Sequence, residues 1–243
     1  PEKDCEWGIF DYSQQEPRIV VHYASMKNFT GADKFVDAYR DDETTDFHKM
    51  VSEIADIPRK KAKTINLGLF YGMGKGKLMS QLGINLEDAT EMLANYNERV
   101  PFVKQLMNDT MNKAGKKGYL STIEGRRCRF ELYEPTNEWG QKALPFKEAK
   151  DEYGEHMIKR AWTYKALNRL IQGSAADQTK KAMLELSKEG YLAHIQVHDE
   201  LDFSVATEKD KSKIKEIMEH AVKLEVPSKV DVECGDSWGD AGD

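Results

Sequence analysis

Two acidic signatures stand at opposite ends of the chain: Asp11-Tyr12-Ser13-Gln14-Gln15-Glu16-Pro17-Arg18 near the start and Val197-His198-Asp199-Glu200-Leu201 near the end. Each borders strand-type sequence. Trp7-Gly8-Ile9-Phe10 is a short apolar run that puts Asp11 where a strand ends. Ala193 to Val205 reads as two β-prone runs around a polar centre, a hairpin with His198-Asp199-Glu200 near its tip. If that hairpin packs beside the first strand, the chain closes on itself over nearly its whole length and Asp11 meets Asp199. Two bare carboxylates at close range repel unless cations lie between them. Hard divalent ions such as Mg²⁺ take oxygen ligands and few from protein. Two such ions about 3.5–4 Å apart can activate one oxygen and stabilise the other in an in-line displacement at phosphorus. An isolated aspartate is far more often a turn or capping residue, so neither signature decides alone.

The stretch between them adds cations at helical spacing. Pro58 suits a first helical turn, and Gly72, Gly74 and Gly76 end it, which predicts a helix over 58–71. Arg59, Lys63, Leu67 and Tyr71 recur every four residues and form one stripe. Arginine grips a phosphate as a fork, and lysine acts as a point charge able to give a proton to a leaving group. Tyr71 is placed to meet a base or sugar. The bland alternative is a solvated basic face with Tyr71 in the core.

Taken in order, these residues resemble the motifs of family A DNA polymerases, the group of bacterial DNA polymerase I and many bacteriophage replicases. Asp11 through Arg18 resembles motif A, Arg59-x-x-x-Lys63-x-x-x-Leu67-x-x-x-Tyr71-Gly72 motif B, and His198-Asp199-Glu200 motif C. Gly118-Tyr119-Leu120-Ser121-Thr122 with Gly125-Arg126-Arg127, then Asn168 and Gln172-Gly173-Ser174-Ala175-Ala176-Asp177, fall between them in the family's order, and Gly235-Asp236-Ser237-Trp238 resembles its usual ending.

The resemblance implies an α+β fold of the right-hand polymerase type: an antiparallel palm sheet with helical fingers, and no thumb within the chain. It implies palm at 1–25, fingers at 26–155 and palm again at 156–243. It implies DNA-templated addition of deoxynucleotides to a primer 3′ end. Asp11 and Asp199 would chelate two Mg²⁺ ions, with the Tyr12 carbonyl as a further ligand. His48, Arg59 and Lys63 would hold the β- and γ-phosphates, with Lys63 also the general acid for pyrophosphate. Glu16 beside Tyr71 would exclude a 2′-hydroxyl, and Leu67 would lie next to the incoming sugar. Asn168 and Gln172 would offer amide donors to minor-groove acceptors that every base pair presents. Arg18, His198 and Glu200 would lie by the primer terminus.

Some positions depart from the family pattern. Gln15 and Pro17 stand where aliphatic residues are common, Leu67 where Phe or Tyr is usual, and Tyr164 where an Arg often precedes Asn168 by one turn. Residues 134–156 read as a polar insertion without an assigned role.

The net charge of −6 is unusual for a DNA binder until it is mapped. Residues 58–129 hold 14 Lys/Arg against 6 Asp/Glu, a local +8 that leaves −14 on the remainder. Phosphates respond to local patches. Helical patterning is read at 86–114, 158–188 and 206–224. Cys5, Cys128 and Cys234 lack metal-ligand spacing and read as reduced thiols. With no apolar run of membrane length, the expected setting is the cytoplasm of a bacterium or a phage-infected host. Because the chain begins almost at motif A, an N-terminal polymerase fragment is an expected partner, beside primer-template DNA and deoxynucleoside triphosphates. Two rival readings are a single-subunit RNA polymerase, opposed by Glu16, and a non-catalytic DNA-binding remnant, opposed by the complete Asp11, Lys63, Tyr71 and Asp199 set.

Overall fold

A computed structural model describes residues 1–137 and 140–241. In chain order the elements are β1 (Glu6–Tyr12), α1 (Gln15–Met26), α2 (Ala32–Asp41), α3 (Phe47–Ala55), α4 (Arg59–Phe70), α5 (Lys75–Leu82), α6 (Leu86–Arg99) and α7 (Pro101–Lys117). There follow β2 (Tyr119–Ser121), β3 (Arg127–Arg129), β4 (Leu132–Pro135), β5 (Leu144–Pro145), α8 (Phe146–Tyr153), β6 (Ile158–Arg160), α9 (Ala166–Lys188), β7 (Ile195–Val197), β8 (Glu200–Val205), α10 (Glu208–His220) and β9 (Val230–Gly235). They form two compact units, one made of Pro1–Phe47 with Ser174–Asp243 and the other of His48–Gly173. The fold is α+β, as expected.

In the first unit a four-stranded antiparallel sheet runs β7-β8-β1-β9, with β1 paired on both sides. Alternation along β1 turns Phe10 and Tyr12 to one face, where they join Ala182, Leu186, Leu201, Phe203, Ile214 and Met218 in a buried core. Burying each such large side chain contributes about 1.5–3 kcal/mol. The Tyr12 hydroxyl donates to the Met218 carbonyl at 2.7 Å, so its polar end is satisfied inside that core. Asp11 therefore faces the other way.

The second unit packs helices around α4. Ala62, Ile65, Asn66 and Phe70 of α4 are fully buried, which is one side of a helix. The three-residue strands β2 and β3 form a hairpin joined to α9, where Arg126 donates to the Gly173 carbonyl at 2.8 Å and Arg169 to the Arg129 carbonyl at 2.9 Å. Strands β5-β4-β6 with α8 make a small lobe of their own, in which Tyr133 meets Phe146 edge-on and Arg160 lies over the Tyr133 ring. This lobe occupies the stretch expected to be a polar insertion; residues 138 and 139 within it lie outside the described residues, as do 242 and 243 of the C-terminal tail.

Several sequence expectations are corrected. The first strand ends at Tyr12, close to the expected end at Asp11, but residues 15–26, read without a helix, form α1. The expected helix 86–114 is two helices, because Pro101 lacks the N–H that a continuous helix needs and instead opens α7. The expected helix 158–188 starts only at Ala166, after a strand at Ile158–Arg160 and a single 3-10 turn at Thr163–Lys165. The expected fingers 26–155 contain strands β2 to β5. The two compact units meet in sequence at 47/48 and 173/174, while the expected subdomain boundaries at 25/26 and 155/156 stand as a separate division of the chain. Side chains of the first unit explain the meeting at 47/48: Gln14 donates to the Thr45 carbonyl and accepts from the Phe47 N–H, and Arg18 donates to the Glu43 carbonyl. No helix among the described residues is long and apolar enough to cross a membrane.

Candidate active site

Asp11 lies opposite Glu200 on β8 and opposite Asp231 on β9. The β7–β8 hairpin pairs Val197 with Glu200, so its turn is the two residues His198 and Asp199. His198 adopts φ 53, the left-handed region that lets so short a turn close. The Gln196 amide donates to the His198 carbonyl at 2.8 Å, and the Tyr12 N–H donates to the Asp199 carbonyl at 3.4 Å. The tip is thereby tied to the end of β1. Asp11 and Asp199, 188 positions apart, are neighbours.

The electrostatics record that closeness. Burial, followed by the Asp199, Glu200 and Glu233 carboxylates, pushes the Asp11 pKa up to about 6. Burial also raises Asp199, against an opposing backbone hydrogen bond and His198. A carboxyl pair under such strain is stabilised by a cation. The set suits a hard divalent ion, since its donors are oxygens and the Tyr12 backbone lies beside Asp11 while its ring points into the core. Among the described residues no group of three or more His, Cys, Asp or Glu side chains is arranged to hold a metal by itself. Two protein carboxylates and a carbonyl would leave the other positions to water and substrate oxygens.

In the second unit, the buried face of α4 leaves Arg59 and Lys63 exposed, Leu67 half-buried and Tyr71 41 % exposed. This is the predicted stripe, and the alternative of Tyr71 in the core is excluded. Gly72 ends the helix at φ 69, and a Cβ there would meet the Tyr164 carbonyl at 2.5 Å, so only glycine fits after Tyr71. His48 on α3 is buried, with Nδ1 2.9 Å from the Asn66 amide nitrogen.

A profile of DNA polymerase family A matches residues 1–240. The chain belongs to DNA polymerase family A. It is 38 % identical to a DNA-directed DNA polymerase of Pseudomonas phage M6, over 98 % of this chain and 39 % of the phage protein. It is 34 % identical to DNA polymerase I of Bacillus subtilis (strain 168), over 99 % of this chain and 26 % of that protein. The POL domain of Pol1 from M. smegmatis, solved in complex with DNA primer-template and dNTP, superposes with TM-score 0.77 at 30 % identity, covering 98 % of this chain and 41 % of that one. The chain thus spans well under half the length of these family A relatives.

Within this family A chain, one expectation fails. Arg18, expected beside DNA, is 2 % exposed; it donates to the carbonyls of Ser13, Pro227 and Glu43 at 2.6–2.8 Å and stacks over the Tyr39 ring. It braces the start of α1 and leaves no surface for DNA. The unusual Gln15 is also structural: it is buried, and its amide donates to Thr179 Oγ1 and the Ala175 carbonyl on α9. Glu16, in the first turn of α1, is half-buried, and His198 and Glu200 lie at the hairpin tip. On α9, Asn168 is half-buried and Gln172 exposed, one turn apart.

Glu233, Asn66, Tyr96 and Asp202 were missed in the sequence. The alternation Val230-Asp231-Val232-Glu233 is the signal that marks β9. Asp202 carries none, because it sits among apolar neighbours of a strand. It has no exposed surface, and among the described residues no donor reaches either carboxyl oxygen. Burial, then Glu200, pushes its pKa up to about 6. A carboxyl whose pKa is higher folded than unfolded destabilises the fold once ionised, so stability is lost as pH rises from the unfolded value, 3.8, through about 6. Asp202→Asn stays neutral and can donate to Glu200. Its gain in Tm over the natural chain, measured without divalent ions, should therefore grow from near zero at about pH 4 to a plateau above about pH 7, equivalent to about 1–3 kcal/mol. A pH-independent difference would show that Asp202 does not titrate in that window.

Proposed function

We propose that this chain is the catalytic portion of a DNA-templated DNA polymerase, adding deoxynucleotides to a primer 3′ end by nucleotidyl transfer. The observation that carries the reading is the union of Asp11 and Asp199 at the end of β1, within a chain whose relatives are named DNA polymerases. On this reading the first unit is the palm and the second the fingers. Asp11, Asp199 and the Tyr12 carbonyl would hold Mg²⁺, with two ions expected for this chemistry. Bound there, the metal supplies Lewis-acid stabilisation of the attacking and leaving oxygens.

The remaining work falls to side chains. Arg59 and Lys63 on the exposed stripe of α4, with His48, hold the β- and γ-phosphates and orient the leaving group. The primer 3′-oxygen forms a bond to the α-phosphorus, its proton passes to solvent water, and the bond from the α-phosphorus to the bridging oxygen breaks. Lys63 gives its proton to the departing pyrophosphate. Tyr71, exposed at the end of α4, meets the base or sugar, and Leu67 borders the sugar. Leu67 offers neither a ring to stack nor a hydroxyl. Asn168 and Gln172 donate to minor-groove acceptors, testing pair shape without reading sequence. His198 and Glu200 flank the primer terminus.

Glu16 is the sugar gate. Glu16→Ala is expected to raise ribonucleotide incorporation relative to deoxynucleotide by about tenfold or more, with little change in deoxynucleotide kcat, because removing a steric and electrostatic exclusion admits the hydroxyl. Competition assays with paired dNTP and rNTP measure it, and unchanged sugar selectivity removes the assignment. An enzyme that prefers ribonucleotides before mutation would favour the RNA polymerase reading.

Productive extension also needs polymerase parts beyond the matched segment, as the greater length of the relatives supports. The test is primer extension by the purified chain with and without upstream polymerase polypeptide. Extension at full rate by the chain alone overturns this dependence. Extension by neither mixture would favour a non-catalytic DNA-binding protein.

A further inference from the structure

The reading of His48 as a phosphate-holding group leaves open which ring nitrogen carries hydrogen, and a buried relay answers it. Tyr96 on α6 and Asn66 on α4 are fully buried, and His48 on α3 is nearly so. The Tyr96 hydroxyl is 2.6 Å from Asn66 Oδ1, and Asn66 Nδ2 is 2.9 Å from His48 Nδ1. An amide can be turned over without changing its shape, so the sense of the relay follows from counting donors and acceptors.

The count begins at Tyr96. Burial pushes its pKa far up, so it keeps its hydrogen. Among the described residues its one hydrogen-bond partner is Asn66. Were the amide turned over, its NH₂ would face the hydroxyl, and the phenol hydrogen would have no acceptor in a site closed to water. Oδ1 therefore faces Tyr96, and the NH₂ group faces His48. An amide nitrogen offers no lone pair, so His48 Nδ1 must supply one. The hydrogen of the neutral ring then sits on Nε2, and a doubly protonated ring would set two donors against each other.

We propose that Tyr96 and Asn66 are positioning residues that hold His48 as a neutral, Nε2-protonated ring, a directional hydrogen-bond donor to a triphosphate oxygen rather than a third cation. Charge then comes from Arg59 and Lys63, and direction from His48. The relay also couples three helices. Asn66 leaves the buried side of the same helix that carries Lys63 on its exposed side, so a rotation of α4 that moves the phosphate stripe moves the histidine with it.

The tautomer can be read in a proton–nitrogen correlation spectrum of the full chain labelled at its six histidines, with the His48 signal identified by its loss in His48→Gln. The expected pattern is a pyrrole-type Nε2 and a pyridine-type Nδ1. Asn66→Asp, which replaces the donor by an acceptor, should move hydrogen to Nδ1, and Tyr96→Phe should give a mixture of the two tautomers. In extension assays Asn66→Asp should raise the KM for dNTP by about tenfold with a smaller effect on kcat. A natural chain with hydrogen on Nδ1, or on both nitrogens, overturns the relay, and this needs no variant to fold. Adding dNTP separates the other failure: an Nε2-protonated His48 whose signal does not move overturns the phosphate role while the relay stands.

Discussion

If the Asp11–Asp199 pair holds the metal as proposed, Asp199→Asn will lower the rate of nucleotide addition by about a thousandfold or more, equivalent to about 4 kcal/mol, while primer-template binding stays within about threefold of the natural protein. Asparagine has the shape of aspartate and suits the second position of a two-residue turn, so the hairpin closed by Val197 and Glu200 is kept. What is lost is a charge. The same substitution removes one of the carboxylates that hold Asp11 near 6, so the Asp11 pKa should fall toward its ordinary value. Without divalent ions, Tm at neutral pH should hold or rise. Loss of activity with undiminished stability is the joint signature, read by single-turnover extension and calorimetry. A rate within about tenfold of the natural protein would remove Asp199 from the metal site.

Lys63→Ala will slow the chemical step by about 10²–10⁴-fold, the range of a lost general acid, and change dNTP affinity far less. Lys63 is exposed while Ala62, Ile65, Asn66 and Phe70 of the same helix are buried, so truncation removes none of the packed side chains. Arg59→Ala, one turn earlier, should show the converse: a larger loss of affinity than of rate, because in the proposed role the fork would bind phosphate in ground and transition state alike. Rapid-quench kinetics over a dNTP series separates the two. If both substitutions raise KM and spare the chemical step, proton transfer from Lys63 is excluded.

Legibility in the sequence followed the range of the interactions. The strand at Trp7-Gly8-Ile9-Phe10, the hairpin around His198-Asp199 and the helix from Arg59 each declare themselves within about a dozen residues, through alternation, turn chemistry and four-residue spacing. The pairing of Asp11 with Asp199 needed more than local pattern: the residues alone made it conditional on the hairpin packing beside the first strand, and the family resemblance carried by the ordered motifs implied it. Arg18 misled because it sits in a motif of exposed chemistry, yet its fork is consumed by three backbone carbonyls from Ser13, Glu43 and Pro227. Two of these partners are remote in sequence, and no local rule announces them. Asn66 and Tyr96 were hidden for the same reason: a polar side chain at a core position is indistinguishable from a surface one until its partners are seen. The boundary near residue 47 depended on the side-chain bonds of Gln14, and the break at Pro101 was the one missed feature that its own residue type could have disclosed.

The central place of β1 in its sheet has a consequence for biogenesis. Its two hydrogen-bonding edges wait for residues 200–205 on one side and 230–235 on the other, so neither can be satisfied while the ribosome is still making the middle of the chain. Helices of the intervening segment close through short loops and can form during translation, whereas the sheet around Asp11 is complete only after residue 235 has emerged. Until then an apolar strand with both edges open is exposed, and premature termination anywhere before β9 would release a chain with assembled helices, no completed sheet and a ready template for aggregation.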